Sequence, residues 1–550
     1  MQEALAEGQW LCIQNFHLDV QLYKRIEKCI SEKDSPHPDF RLWIVSEVCS
    51  QIPFSLLTDT RKALCESPKG FSRCISRSFA SSMDFFDNAK IVTTDKAPQV
   101  LYLISLFHSI MLERSKYNGW NEVYKFGFTD IEAATNVLHH FAPKQNLEAI
   151  RNLLIDYSHG VRIDDMHDRK KIVIYISKLF TNKILEGQEF IPFMKSLGRM
   201  KVPQNANFRE VYKSISSYTI MDSPSALGMD ENSGKTAKII STQKFLSKIC
   251  LLFAKNKLNM NCDKPNLMVM ISLWNDFKKM WVQINDNKKL DDSKKDFLSP
   301  FFEKEYQTAK NIYQYVDKSM TSLQCVIEGK FRLKDDYVGD AKDIVNGNLP
   351  KRWSQHWVHG PESISPSKWL RKVVSRMKRL VEFINMTANK VLHDKKGLSL
   401  SDFFHPMLFL TLIKQETAML ECKTYPFHSL TLRACSWEEE NDSKKLPPLT
   451  ICLHGIIAQG SNFILSPGML VSIEDKNAFK LPPTRFAFVN DVDSTANSAL
   501  EVSFDLPFYL NESRNDLLSL IRVRCNSSAD MEQCVLSGTA LFAEDDNLSI

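Results

Sequence analysis

No apolar run in these 550 residues approaches the ~18 needed to cross a bilayer. The thirteen cysteines include no Cys-x-x-Cys pair, and an odd, scattered set reads as reduced thiols in a cytosolic protein. An excess of one charge is missing too: 70 Lys and Arg against 65 Asp and Glu leave +5. No basic stripe carries interleaved aromatics, so nucleic acid is a poor candidate partner. The first residues, Met1-Gln2-Glu3-Ala4-Leu5-Ala6-Glu7, are acidic with a helical pattern, unlike a signal or transit peptide. Without such a signal the Asn-x-Ser/Thr sites at Asn385, Asn441, Asn511, Asn526 and Asn547 carry little meaning.

What is present is ordinary globular composition, 43% apolar and 25% charged, in a length that suits roughly three or four domains. Near the start, Gln9-Trp10-Leu11-Cys12-Ile13-Gln14-Asn15-Phe16-His17-Leu18 is a short apolar run. A second, Phe40 to Glu47, follows a helical pattern over Asp19 to Ile30. Two such runs joined through a helix predict neighbouring strands of a parallel sheet. In a nucleotide-hydrolysing sheet the first strand would end in an acid that holds Mg²⁺. Here Asn15 stands in that place with His17 beyond it, and neither is a good hard-cation ligand. The expectation is a piece of an ATPase-like fold without its own catalysis.

Ser72 to Phe79 reads as a helix and polar Ser81 to Ala97 as a linker. Pro98 then opens a strong helix whose apolar face is Val100, Leu103, Ile104, Phe107, Ile110 and Met111. Asn118-Gly119-Trp120 ends it, and helices follow at Asp130–Phe141, Leu147–Tyr157 and Met166–Phe180. An α/β piece followed by an all-helical piece suits an AAA+ module with its lid. Helical spacing resumes at Thr242, is clearest over Phe301–Gly329 and Pro366–Val391, and ends in a helix capped by Ser401 and running to Thr417. After Pro447-Pro448 the pattern changes to alternation, at Leu449–Ile457, Val502–Phe508, Ile521–Cys525 and the strand-like run Cys534–Phe542. Short alternating strands predict an antiparallel barrel or sandwich. The fold class is therefore multidomain α+β: a partial AAA+ α/β subdomain, a helical AAA+ lid, a helical C-terminal region and an antiparallel β-barrel-like domain.

Several stretches imitate chemistry. Gly228-Met229-Asp230-Glu231-Asn232-Ser233-Gly234-Lys235-Thr236 resembles a phosphate loop, but Gly228 is one residue too early and no strand pattern precedes it. His356-Trp357-Val358-His359 has metal-like spacing without a further ligand nearby, so packing is the expected role. His139-His140 straddles two helix faces. Asp164, Asp165 and Asp168 read as a solvated turn and helix N-terminus. Glu438–Glu440 and Lys288–Lys295 read as solvated loops. No residue is assigned a catalytic, cofactor-binding or metal role.

Taken together the motifs resemble the dynein heavy chain family. Gly8 to Leu18 is similar to its sixth AAA+ module, where the Mg²⁺ acid is replaced, and Phe40-Arg41-Leu42-Trp43 to the next strand. Glu66-Ser67-Pro68-Lys69-Gly70-Phe71 resembles the family's Glu-x-Pro-x-Gly-Leu turn. Phe107-His108, Glu113-Arg114 and Gly119-Trp120 fall on its helix motif. Tyr157 to Arg169 resembles its Arg-Ile-Asp-Asp segment, with Ser158-His159 where Gly is usual. Leu227 to Asn232 falls on a family turn, which explains the false phosphate loop. Gly360-Pro361-Glu362 after Trp353 and Trp357 resembles the cytoplasmic dynein 2 branch, which serves intraflagellar transport. So does Asp402-Phe403-Phe404-His405-Pro406 followed by Gln415-Glu416-Thr417-Ala418.

The resemblance implies four parts: residues 1–80, remnant of the large α/β subdomain; 81–215, AAA+ lid; 216–430, helical part of the C-terminal domain; 431–550, β-barrel-like domain. It implies a C-terminal segment that closes and braces the ring of an ATP-driven, minus-end-directed microtubule motor. The segment itself would hold no cofactor, and ATP and Mg would belong to the parent. The implied partners are the rest of the ring and, through the parent, intermediate, light-intermediate and light chains and microtubules. No membrane insertion is implied, and the place of action is cytoplasm, cytoskeleton and cilium. The other reading is a free-standing motorless scaffold built from the same domains.

Overall fold

The computed structural model describes residues 2–19, 22–31, 37–47, 54, 58, 60–63, 70–88, 96–117, 119–141, 146–192, 200–204, 207–216, 223–229, 231–252, 267–278, 281, 297–330, 335–357, 360, 365–384, 391–392, 397–420, 427–434, 449–459, 463–466, 469–472, 479–490, 502–511, 514, 516–525 and 527–543. The protein divides into two compact units, Met1–Pro68 and Lys69–Ile550.

In the first unit, helix α1 (Gln2–Glu7) precedes strand β1 (Trp10–Ile13), helix α2 (Leu22–Ser31) and strand β2 (Arg41–Ile44). The strands are parallel and in register from Trp10 opposite Arg41 to Ile13 opposite Ile44, as the two apolar runs predict. Asn15 turns the backbone in the left-handed region (φ 55°), a conformation an Asn tolerates better than most residues. The Phe16 N–H then donates to the Val45 carbonyl at 3.0 Å. Phe16 and Ile26 are buried with Ile13, Leu22, Leu42 and Ile44 around them. That is a small core. Trp10 remains 70% exposed and Trp43 51% exposed, their rings 6.1 Å apart.

The second unit opens with α3 (Phe71–Asn88), α4 (Ala97–Arg114), α5 (Phe128–Phe141), α6 (Leu147–Leu153), α7 (Met166–Leu179) and α8 (Phe208–Ser216). Helix α3 runs through half of the expected linker. Its serines do not break it, because Ser82 Oγ donates to the Ser78 carbonyl and accepts from Thr135 Oγ1 of α5. Every residue from Ala97 to Met111 is buried, so α4 is enclosed on all sides rather than amphipathic with one wide face. Beyond α6 the backbone makes a π-turn (Leu154–Ser158) and a 3₁₀ turn (His159–Arg162). There a Cβ on Gly160 would meet the Ile155 carbonyl oxygen at 1.7 Å, so only glycine fits.

Four further helices follow: α9 (Glu231–Leu252), α10 (Ser299–Ile327), α11 (Asp335–Val345) and α12 (Pro366–Ile384); α9 starts well ahead of the expected Thr242. With the helical residues 267–278, α10, α11 and α12 surround an aromatic core of Trp274, Trp281, Trp353, Trp357, Trp369 and Phe404. Helix α13 (Pro406–Leu420) is not capped by Ser401, which lies in a separate 3₁₀ turn (Leu400–Asp402). Its start is held by the buried Glu305 carboxylate of α10, which accepts the N–H groups of Phe404 (2.8 Å) and His405 (2.6 Å).

The last part is one ten-stranded sheet: β3 (Leu430–Ala434), β4 (Thr450–Leu453), β5 (Ile456–Gln459), β6 (Phe463–Ser466), β7 (Met469–Ser472), β8 (Phe479–Leu481), β9 (Thr484–Asn490), β10 (Val502–Tyr509), β11 (Leu517–Cys525) and β12 (Ala540–Ala543). The order is β4-β9-β3-β11-β10-β12-β5-β8, with β7 and then β6 branching from β11. The sheet curls into a half-barrel and is mixed, which corrects the antiparallel expectation. β3 and β7 run parallel to β11, and β12 parallel to β10. Part of the reason is a helix hidden in the strand-like run after Cys534. Helix α14 (Ser528–Ser537) leads into β12, so β12 is reached by a crossover, which parallel pairing requires. Gly538, at φ 69°, ends α14 in the left-handed conformation that favours glycine. Among the described residues β4 and β8 do not pair, so the sheet stays open.

Candidate functional site: a buried ionic seam

The family-like residues of the second unit converge on one place. Arg114, at the end of α4, is fully buried. Its Nε donates to the Gly119 carbonyl (2.9 Å), Nη1 to the Tyr175 hydroxyl of α7 (2.6 Å) and Nη2 to the Leu536 carbonyl of α14 (2.6 Å). The guanidinium also sits 5.5 Å from the Trp120 ring centroid, a favourable cation–π placement. The Tyr175 hydroxyl in turn donates to the Leu227 carbonyl. One side chain therefore ties the lid-like helices to residues 422 positions further along.

A second cation lies beside it. Lys171 Nζ pairs with Asp168 Oδ1 at 2.7 Å and reaches the Gly119 carbonyl at 3.2 Å. Asp168 Oδ2 accepts the N–H groups of Asn121 (2.9 Å) and Glu122 (3.3 Å). Asp165 caps α7, accepting the Asp168 N–H at 2.8 Å, as an acidic N-cap should. Arg514 closes the arrangement from the sheet, donating to the Gly538 carbonyl (2.7 Å) and Asn121 Oδ1 (3.3 Å). Arg114, Lys171 and Arg514 thus face few carboxylates, and fixed carbonyl dipoles supply the balance. Burial pulls the Lys171 ammonium down to about 8, against the opposing pull of Asp168. Burial likewise raises the Tyr175 hydroxyl.

A depressed lysine beside a buried carboxylate is a pattern active sites share. The free space lined by Lys171, Asn121, His167 and Arg514 is only about 10 Å³. That is at or below the ~10–15 Å³ that a single water needs, so no substrate fits. The cluster is a structural joint.

A neutral counterpart lies one helix away. His108 Nδ1 and His159 Nε2 are 2.9 Å apart, and His159 Nδ1 is 2.8 Å from Ser158 Oγ, which donates to the Asp130 carbonyl. Burial lowers His108 to about 4 and holds His159 well below its usual range. One ring N–H feeding the next satisfies the series without a net charge.

The remaining sequence candidates scatter. Gly234, Lys235 and Thr236 lie inside helix α9, where their N–H groups belong to helical bonding, and Thr236 Oγ1 accepts from Gln459 Nε2 at 3.3 Å. Gly228 is the left-handed cap of a 3₁₀ turn (Pro224–Leu227), not the start of a phosphate loop. His356 stacks on Tyr315 with ring centroids 4.1 Å apart; Val358 and His359 lie outside the described residues. So do Glu438–Glu440, Lys288–Lys295, and the side chains of His139 and His140. Asp168 overturns one expectation: it is fully buried, not solvated. Among the described residues no three His, Cys, Asp or Glu side chains converge as a metal site. No described helix is long and apolar enough to cross a membrane. Sequence reasoning passed over Arg514, whose partners come from distant elements. Lys171 left a legible signal, lying three residues after Asp168 on a helix.

Comparison with known proteins places the fold. A model of the AAA lid domain of the dynein heavy chain matches residues 97–233, and a model of its region D6 P-loop domain matches residues 1–64. A third model, of the C-terminal domain of the dynein heavy chain, matches residues 239–543, more than half of the sequence. The protein belongs to the dynein heavy chain family. Among curated relatives, cytoplasmic dynein 2 heavy chain 1 of Tripneustes gratilla is 25% identical over 99% of this sequence and 13% of its own length. The human protein of the same name is 25% identical over 99% of this sequence and 12% of its own length. A cytoplasmic dynein heavy chain of Dictyostelium discoideum is 24% identical over 96% of this sequence and 11% of its own length. The 550 residues thus span about an eighth of the length of these relatives.

Proposed function

We propose that this protein is the ring-closing and bracing C-terminal segment of an ATP-driven, minus-end-directed microtubule motor of the cytoplasmic dynein 2 kind, serving retrograde intraflagellar transport. The observation that carries the proposal is the seam. Arg114 and Arg514 tie the lid-like helices to the C-terminal part through bonds that cross in both directions, Arg114 to the Leu536 carbonyl of α14 and Arg514 to Asn121 Oδ1. A brace must transmit force without yielding, and packed elements with discrete arrangements do so. Within this reading, residues 1–80 are the remnant α/β subdomain, 81–215 the lid, 216–430 the helical C-terminal part and 431–550 the β-domain. ATP and Mg act elsewhere in the longer protein. Asn15 is a poor hard-cation ligand where an acid would hold Mg²⁺, and Lys235 and Thr236 lie within a helix. Partners would be the rest of the ring, the associated intermediate, light-intermediate and light chains, and microtubules, in cytoplasm, cytoskeleton and cilium.

The test is the mass of the native polypeptide, detected in cell extract with an antibody against the C-terminal sheet. A band several times larger than 63.3 kDa supports the motor segment. A single band near 63.3 kDa overturns it in favour of a motorless scaffold.

A further inference from the structure

Helix α12 carries an unusual load of cations: Lys368, Arg371, Lys372, Arg376, Lys378 and Arg379 against a single acid, Glu382. Some are used internally. Arg376 is buried and sits 4.5 Å from the Trp357 ring centroid. Arg379 pairs with Glu382 and reaches Asp402. Arg371 and Lys378 are different: both are exposed, and neither has an acidic partner among the described residues. Their spacing of seven puts them on one face of the helix, two turns and ~10.5 Å apart.

That face borders a cavity of about 300 Å³ between α12 and the helical residues 267–278. Leu273, Trp274, Leu370 and Val374 form its apolar lining, and Arg371, Ser375 and Lys378 its polar side. The walls are held in place. Trp274 Nε1 donates to Asp317 Oδ1 at 3.1 Å, and Lys278 holds the same carboxylate at 2.8 Å. On the α12 side Trp369 stacks on Trp353 with ring centroids 5.9 Å apart. A groove between two helices, apolar inside and doubly cationic at the rim, has the chemistry that receives an amphipathic helix.

We infer that this groove docks an acidic amphipathic helix from another polypeptide, one carrying two carboxylates seven residues apart that flank an apolar pair. The apolar pair enters between Leu273 and Val374, and the carboxylates meet Arg371 and Lys378. Charge complementarity selects this occupant over a second copy of the same face, which would set cation against cation. The inference does not depend on the motor reading.

The test uses the full 550-residue protein and a fluorescein-labelled, ~15-residue helical peptide. The peptide carries two glutamates seven residues apart with a Leu-Phe pair between them. Fluorescence anisotropy is expected to show micromolar binding that weakens at least tenfold in Arg371→Glu/Lys378→Glu. Both side chains are exposed, so the variant should keep its circular dichroism. A peptide with lysines in place of the glutamates is expected to reverse the preference and bind the variant better. No binding of the acidic peptide, equal binding to both proteins, or no reversal with the lysine peptide would overturn the proposal. So would loss of the site through self-association, read by sedimentation.

Discussion

Asp168 shows what a single residue does in the seam. It is the carboxylate that compensates the buried Lys171 directly, and it also receives two backbone N–H groups. Asp168→Asn is expected to cost roughly 3–5 kcal/mol, because an uncompensated buried ammonium is left behind. Asp168→Asn combined with Lys171→Met is expected to cost less than the sum of the two single changes, since the pair shares one interaction. Hydrogen exchange at α4 and α7 reads both, and additive effects would show that the pair is not coupled. The two buried histidines set a pH dependence. Their folded-state affinity for protons lies below the unfolded value of 6.5, so below that pH the unfolded state binds more protons. Local stability around His108 and His159 is therefore present above pH 6.5. It falls as pH drops toward about 4, by up to roughly 1.4 kcal/mol per pH unit from His108, and protonation of His159 acts in the same direction. Arg162 opposes protonation of His159 as well. Glu305 has the opposite sign: burial raises it to about 7, so its contribution is present below pH 4.5 and is lost as pH rises toward 7. Exchange at 155–162 should respond to the first limb and exchange at 404–410 to the second. Glu305→Gln should flatten only the second.

Element-level behaviour turns on where helices stop. Gly538 ends α14 in a left-handed turn and presents its carbonyl to Arg514. Gly538→Ala meets no close atom, its nearest neighbour being Arg514 Nη1 at 3.5 Å, so its cost is conformational. About 1 kcal/mol is expected, appearing as faster exchange in β12 while Arg514 keeps its bond. A cost near zero would mean that the backbone relaxes the turn. The same stretch explains a misreading. Cys534 to Phe542 has an apolar pattern that suits a strand, yet only Ala540–Ala543 pairs in the sheet. Short apolar runs do not distinguish the two states, and only burial against α7 and β10 decides.

At the scale of the whole molecule, the first unit holds a single parallel pair of strands. A two-stranded parallel pair ordinarily has both faces covered, yet Trp10 and Trp43 lie largely open. Such a pair suits a sheet completed by further strands. Residues Met1 to Phe79 alone are expected to show no amide protection over Trp10–Phe16, because the core around those strands is so small. Strong protection there would mean that the small core around Phe16 and Ile26 suffices.

Periodicity and turn chemistry alone determined most of the elements. The parallel pair β1–β2, the helices beginning at Pro98 and Met166, and the long helices α10 and α12 follow from apolar spacing and from Pro and Gly positions. Motif resemblance likewise pointed to the family. The seam was only half legible: Arg114 and Asp168 lay in recognisable motifs, whereas Arg514 and the carbonyls of Leu536 and Gly538 did not. Strand order, the mixed character of the sheet and the burial of Asp168 were decided by tertiary structure. Each depends on contacts between residues tens to hundreds of positions apart, and local propensity carries no information about which distant group will supply the partner.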